Sequence, residues 1–213
     1  MSSQVRGGTR WKRFALVMVP SIAATAAVGV GLAQGALAAS FSVSGQDFKV
    51  SADELVGQDL IQYGSLAQGA TLGSDKKSVH PVTISGFSSA KITNMCQSLV
   101  TATPIGNITL QLRTGNKGRP AVAENIYLDV AELDADAKFE KLDIGVAVGD
   151  GSNPTKPVPG SVTDGGLFAQ RAKTATLTNV RQKAWATTAG TFTLPDLKLR
   201  LLSGDQPCYQ DEK

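Results

Sequence analysis

From residue 41 to the end of the chain, short runs of Val, Ile, Leu, Thr and Phe alternate with polar residues and are broken by Gly, Pro, Asn and Asp. Examples are Phe41-Ser42-Val43, Val82-Thr83-Ile84, Ile108 to Leu112, Ile126 to Val130 and Leu197 to Leu201. A period of two places alternate side chains on opposite faces of a strand, so the pattern predicts β structure nearly throughout. One short helix is expected after Ser51, where Ser51-Ala52-Asp53-Glu54 has the Ser-x-x-Glu capping form, although the apolar periodicity behind it is poor. Gly64 to Ser78, Arg113 to Pro120 and Gly149 to Gly166 read as loops. The last is long and rich in Gly and Pro, and connections of that length are functional or disordered. It is expected to be a mobile surface loop.

The apolar positions also repeat. Val82-x-Ile84-x-x-Phe87 recurs as Leu128-x-Val130-x-x-Leu133 and as Phe192-x-Leu194-x-x-Leu197. Ala90-Lys91-Ile92-x-x-Met95 matches Ala137-Lys138-Phe139-x-x-Leu142. Ile92-Thr93-Asn94-Met95-Cys96-Gln97 matches Leu177-Thr178-Asn179-Val180-Arg181-Gln182. Either the pattern arises by chance in a β-rich chain or the domain is built from duplicated units. A step of three, as from Ile84 to Phe87 or Ile92 to Met95, breaks the strand phase, so the chain must bend or bulge there if both residues stay inside. The expectation is an all-β protein in which short strands curve around a common core, as a β-solenoid or a bent sandwich.

The beginning of the chain departs from this pattern. Arg6, Arg10, Lys12 and Arg13 precede an uncharged run from Phe14 to Gln46 that contains Ala36-Leu37-Ala38-Ala39. A basic start, an apolar helix and a small-x-small site are the features of an export signal, with Ala36, Ala38 and Ala39 forming the cleavage site. Phe14 to Leu32 is also about long enough to span a bilayer, which takes roughly 20 residues. Its richness in Ala and Gly, with Pro20 and Gln34, weakens it as a permanent span. Residues 1–38 are thus a signal peptide or a membrane anchor, and residues 39–213 a single extracytoplasmic β domain, secreted or tethered to the cytoplasmic membrane.

That division changes the charge. The whole chain is +3, but without its first 38 residues it holds 17 Lys and Arg against 18 Asp and Glu. A basic nucleic-acid surface is therefore not supported. Cys96 and Cys208, the two cysteines, would both lie outside the cytoplasm, where an even count without metal-ligand spacing reads as one disulfide; two free thiols are the alternative.

Catalytic chemistry finds little support. A Ser-His-Asp site needs a base, and His80 is the sole histidine. It sits in Val79-His80-Pro81-Val82, and no Gly-x-Ser-x-Gly occurs anywhere. Tyr63-Gly64-Ser65-Leu66 is only superficially like a serine-hydrolase block. Asp129, Glu132, Asp134, Asp136, Glu140 and Asp143 cluster, but Lys138 and Lys141 interleave and the pattern of a Ca²⁺ loop is missing, so they read as a solvated strand face. Trp185 reads as a packing residue at a sheet edge. No catalytic, cofactor or metal residue is assigned.

The stretches His80-Pro81-Val82, Ile92 to Ser98, Thr178 to Thr187 and Ala189-Gly190-Thr191-Phe192, with Cys208, resemble a family of actinobacterial exported proteins of unknown function, DUF6230. The resemblance covers nearly the whole chain. It implies an envelope protein with one N-terminal hydrophobic segment, often encoded beside a small multi-pass membrane protein. Many members carry the label cholesterol esterase, which the residues above do not support. The expectation is a non-enzymatic envelope protein that binds a partner or serves a structural role. The alternatives are a β domain that binds a lipid or another apolar ligand, and an ester hydrolase.

Overall fold

The computed structural model describes residues 43–44, 46–70, 77–158 and 163–211. The hydrophobic N-terminal segment, with Ala36, Ala38 and Ala39, lies outside the described residues. Among the described residues the regular structure is all β. The strands are β1 (Val43–Ser44), β2 (Phe48–Ala70), β3 (Lys77–Thr93), β4 (Met95–Thr103), β5 (Gly106–Thr114), β6 (Ala121–Glu140), β7 (Asp143–Ala147), β8 (Phe168–Thr188), β9 (Thr191–Thr193) and β10 (Lys198–Ser203).

Four of them are far longer than the usual five or six residues: β2 has 23, β3 17, β6 20 and β8 21. They pair in the antiparallel order β2–β3–β6–β8, and β8 pairs back onto β2. The sheet therefore closes. Gly64 pairs with Thr83, Thr83 with Val130, Val130 with Ala184 and Ala184 with Phe48. One circuit thus returns to β2 sixteen residues from where it began, so the strands coil steeply around the interior. This differs from both expected architectures, because a solenoid stacks parallel coils and a sandwich keeps two sheets apart.

Such coiling in a sheet of so few strands needs local kinks, and their positions are specific. Asp59, Asn94, Asn125, Lys141 and Asn179 have φ between 49° and 56°, the left-handed region. Asn and Asp reach this region more easily than other side chains. Each is followed at once by an apolar residue: Leu60, Met95, Ile126, Leu142 and Val180. The kinks form two transverse belts. In one, Asp53 of β2 lies between Asn94 and Asn179 on its two neighbours, and Asn94 Nδ2 donates to Asp53 Oδ2 at 3.0 Å. Farther round, Asn179 Nδ2 donates to Asp136 Oδ2 at 2.8 Å. In the other belt, Asp59 receives Ser88 Oγ at 2.7 Å and Lys173 Nζ at 2.6 Å, from the strands on either side. The Lys173 contact is the main cause holding the Asp59 carboxyl below its ordinary pKa.

At each belt the inward residues step by three, as in Ala52 and Leu55, Ile92 and Met95, Leu177 and Val180, or Phe87 and Ala90. The phase break expected between Ile92 and Met95 is thus a left-handed kink at Asn94. The one expected at Ile84 to Phe87 has another cause. Ile84 belongs to a second cluster, with Ile61, Tyr63, Val82 and Ala169, while Phe87 belongs to the interior. Here the strands are buried on both faces, so no bend is required. The Phe87 ring lies over Gly57, where an added Cβ would be 2.2 Å from Phe87 Cδ1.

Two loop and helix expectations change. Ser51 to Glu54 lies within β2, because Val50 and Ala52 are inward and both neighbouring strands supply ladders. Gly64 to Ala70 continues β2 and Lys77 begins β3. The described part of the 149–166 segment packs over the second cluster. Asn153 Nδ2 donates to the Leu60 carbonyl at 3.0 Å, and the Val158 amide donates to Tyr63 Oη at 2.9 Å.

Replacing Asn179 by Gly is expected to change stability by less than about 1 kcal/mol, since Gly adopts positive φ freely. Asn179→Val is expected to cost about 1–3 kcal/mol, because a branched side chain is strained there. Urea unfolding of both variants checks the difference; equal losses would mean that Asn179 acts only through its side-chain contact.

Candidate functional site

The residues considered for catalysis do not assemble. The His80 ring, on β3, stacks on Trp185 of β8 with centroids 3.6 Å apart and planes 14° from parallel. No hydroxyl or carboxylate is within hydrogen-bond or ion-pair distance of His80 among the described residues, and Trp185 packs beside the second cluster. The carboxylates of β6 and β7 disperse among separate partners. Glu132 pairs with Lys183 at 3.0 Å, Glu140 with Lys138 at 2.9 Å and Asp143 with Arg171 at 2.9 Å. Asp129, half-buried, has its pKa raised by desolvation. Among the described residues no group of three His, Cys, Asp or Glu is placed to hold a metal ion.

Two other features stand out. The first lies on β4, β5 and β10, which extend from the ring with β10 at the sheet edge. One face of this extension is covered by the C-terminal tail. Cys96 of β4 is disulfide-bonded to Cys208, with Cα atoms 5.8 Å apart and 112 positions between them. The Cys208 amide donates to Ser98 Oγ at 2.9 Å, and the Gln206 amide to Thr109 Oγ1 at 3.0 Å. Beyond the disulfide, Lys49 forms an ion pair with Asp211 at 2.9 Å and lies over the Tyr209 ring.

The opposite face of the extension packs against the ring through Leu112 but is exposed toward β10. Cross-strand pairing sets Leu199 beside Leu112 and Leu201 beside Leu110. Leu199 is 62% exposed and Leu201 67%, and Leu197 and Leu110 are exposed beside them. On the tail-bearing face, Lys198 pairs across to Arg113 and Arg200 to Gln111. Lys198 and Arg200 have no ion-pair partner among the described residues. Among the described residues the outer edge of β10 is unpaired.

The second feature is inside the ring. A cavity of ≈ 140 Å³ lies among Leu60, Phe87, Leu133 and Leu177, with Gln62, Ser85 and Gln182 on its wall. A smaller void of ≈ 30 Å³ adjoins it, with Gln97 and Gln182 among its lining residues. Gln62 Nε2 donates to Ser85 Oγ at 2.8 Å, and Gln170 donates to Gln62 Oε1. Gln182 is 5% exposed, and its side-chain amide makes no hydrogen bond among the described residues.

With this geometry in place, comparison with known proteins gives one match. Residues 44–209 match the Family of unknown function (DUF6230). The chain belongs to that family. No curated protein and no solved structure matches this DUF6230 chain significantly.

Of the residues singled out in the sequence, Cys96 and Cys208 are brought together and His80 is placed against Trp185. The leucines of β10 and the glutamines were not singled out as sites. Leu197, Leu199 and Leu201 alternate with Lys198 and Arg200, but alternation does not say which face is covered. The glutamines carried a better signal, since Gln62, Gln97 and Gln182 each stand three residues after a left-handed residue, Asp59, Asn94 or Asn179.

Cys208→Ser is expected to lower stability by roughly 2–5 kcal/mol, given the long loop the bond closes. Hydrogen exchange should quicken at Thr109 and Gln111 beneath the tail; unchanged protection would show that the polar contacts alone hold it. His80→Ala is expected to leave p-nitrophenyl butyrate hydrolysis at the level of the unaltered protein. A drop specific to this variant would restore the ester hydrolase reading.

Proposed function

We propose that this DUF6230 protein is a non-enzymatic cell-envelope module that works by accepting a strand from a partner protein along β10. The observation that carries the reading is the exposed leucine row of β10 and β5 beside an unpaired strand edge. An edge of this kind is a template for strand addition. Fully covering each leucine contributes about 1.5–3 kcal/mol. Lys198, Arg200 and Arg113 on the other face select a partner strand in which apolar residues alternate with Asp or Glu. Unpaired cations on an edge also disfavour indiscriminate self-pairing.

In this reading the N-terminal segment exports the domain or tethers it to the cytoplasmic membrane, with the β domain outside and the disulfide suited to an oxidising compartment. A multi-pass membrane protein of the envelope with an extracytoplasmic acidic–apolar strand is the partner that fits. The lipid-binding alternative has the interior cavity in its favour, but ≈ 140 Å³ is too small for a long acyl chain. The ester hydrolase alternative has no assembled acid–base pair at His80.

The test is a titration of the isotopically labelled domain with a synthetic strand that alternates Val and Glu. Amide shifts are expected at residues 198–203 and 108–113, with at least tenfold weaker binding in the Leu199→Lys, Leu201→Lys double variant. Shifts spread evenly over the surface, or binding indifferent to the double variant, would overturn the docking surface.

A further inference from the structure

The interior cavity is not used by the edge reading, and it has the properties of a binding site in its own right. Gln182 sits on β8 between Val50 of β2 and Leu133 of β6, its register partners, and neither can accept or donate from its side chain. The neighbouring Gln62 and Ser85 satisfy each other in part, and Ser85 is itself 4% exposed. Gln62, Ser85 and Gln182 thus line a cavity whose other lining residues are Leu, Phe and Ala. This combination of apolar volume and a few convergent polar groups characterises small-ligand sites.

The cavity also has an opening. The ladder between β3 and β6 ends at Val130, while β6 continues along β8 to Glu140. Beyond Val130 the edge of β6 that faced β3 therefore has no ladder partner among the described residues, while its inward residues look across the cavity at Leu55 and Leu60 of β2. Leu133, on the cavity wall, is 41% exposed. The unladdered edge beside Leu133 is where the cavity comes nearest to solvent among the described strands.

The lining fixes the chemistry of the occupant. No charged side chain lines the cavity, so burying a carboxylate or an ammonium there would be strongly unfavourable. A glutamine amide offers one acceptor and two donors, which match a carboxamide or a protonated carboxylic acid through paired hydrogen bonds. The volume, ≈ 140 Å³, is close to that of an engineered apolar cavity of about 150 Å³ that holds benzene. We propose that the ring binds a small neutral amphiphile, a short-chain or aromatic amide or protonated acid, with its polar end on Gln182 and its apolar part among Leu60, Phe87 and Leu177.

The probe is hexanamide, added to the labelled domain and followed by amide and methyl shifts. Saturable binding is expected, with shifts centred on Leu60, Leu177 and Gln182. Hexanoate at neutral pH should bind at least tenfold more weakly. Gln182→Leu, which removes the polar end without enlarging the cavity, should weaken hexanamide at least tenfold while leaving benzene binding within twofold. Ala175→Phe, which fills the cavity from β8, should abolish both. No saturable binding of hexanamide, equal binding of hexanoate, or binding unchanged in Gln182→Leu would each overturn the proposal and leave a hydrated cavity. Because none of these measurements involves β10, failure here is distinguishable from failure of strand docking.

Discussion

The structure depends on one steric constraint, that a four-stranded ring closes only if its strands bend sharply. Ordinary strand twist leaves a sheet this narrow open, with its apolar face half exposed. The left-handed residues remove that obstacle. Each breaks the side-chain alternation on its strand; across Asp59 the flanking pairs Gln58–Ser89 and Ile61–Gly86 stay in register, whereas across Asn179 the ladder with β6 shifts by one residue between Asp134 and Asp136. Inward residues therefore remain inward on both sides of each belt, and β2 lines the interior from Phe48 to Leu60. The polar contacts at the belts, such as Ser88 and Lys173 on Asp59, follow from this arrangement, because adjacent strands kink side by side and bring their polar residues into reach.

The second cluster follows from the same coiling. Where β2 and β3 turn away from the extension formed by β4, β5 and β10, their outer face carries Ile61, Tyr63, Val82 and Ile84, too apolar to face water. The segment after β7 covers it, with Val148 buried and Asn153 and Thr155 carried in with it. The ring is thus covered outside at one end and packed inside, and the two regions left incomplete are the leucine face and the cavity behind Leu133. Both are places where an element that would have covered apolar surface stops short. On β10 it is a further strand; at the cavity it is the β3 ladder beyond Val130.

Much of this was legible in the sequence, and what was not has a common cause. The β character followed from period-two alternation, and the pairing of Cys96 with Cys208 matched the reading of an even cysteine count under an expected export. The similarity of Ile92-Thr93-Asn94-Met95 to Leu177-Thr178-Asn179-Val180 marked two real kinks, because Asn is a residue that tolerates positive φ. Lys141 shows the limit of that signal: its conformation is the same, but its side chain does not advertise it. Val82-x-Ile84-x-x-Phe87 looked like the same phenomenon and was burial on two faces instead. Ring closure was invisible, since the pairing of β2 with β8 joins residues such as Phe48 and Ala184 that no local pattern links. Without closure, neither the cavity nor the isolation of Gln182 could be anticipated. The helix expected after Ser51 failed for a related reason, since a local capping form was outweighed by ladders on both sides of β2.

The position of β2 at the hub has a temporal consequence. Its first residues, Phe48 to Ala52, find their partners on β8 at Val180 to Ala184. A chain made from its N-terminus presents β2 long before β8 exists to receive it. During that interval β2 can form a hairpin with β3 but keeps one edge and an apolar face uncovered. Structures dominated by such distant pairings fold slowly and pass through exposed intermediates. The architecture that yields a stapled, closed ring therefore makes its own assembly wait for β8, the last of the four long strands.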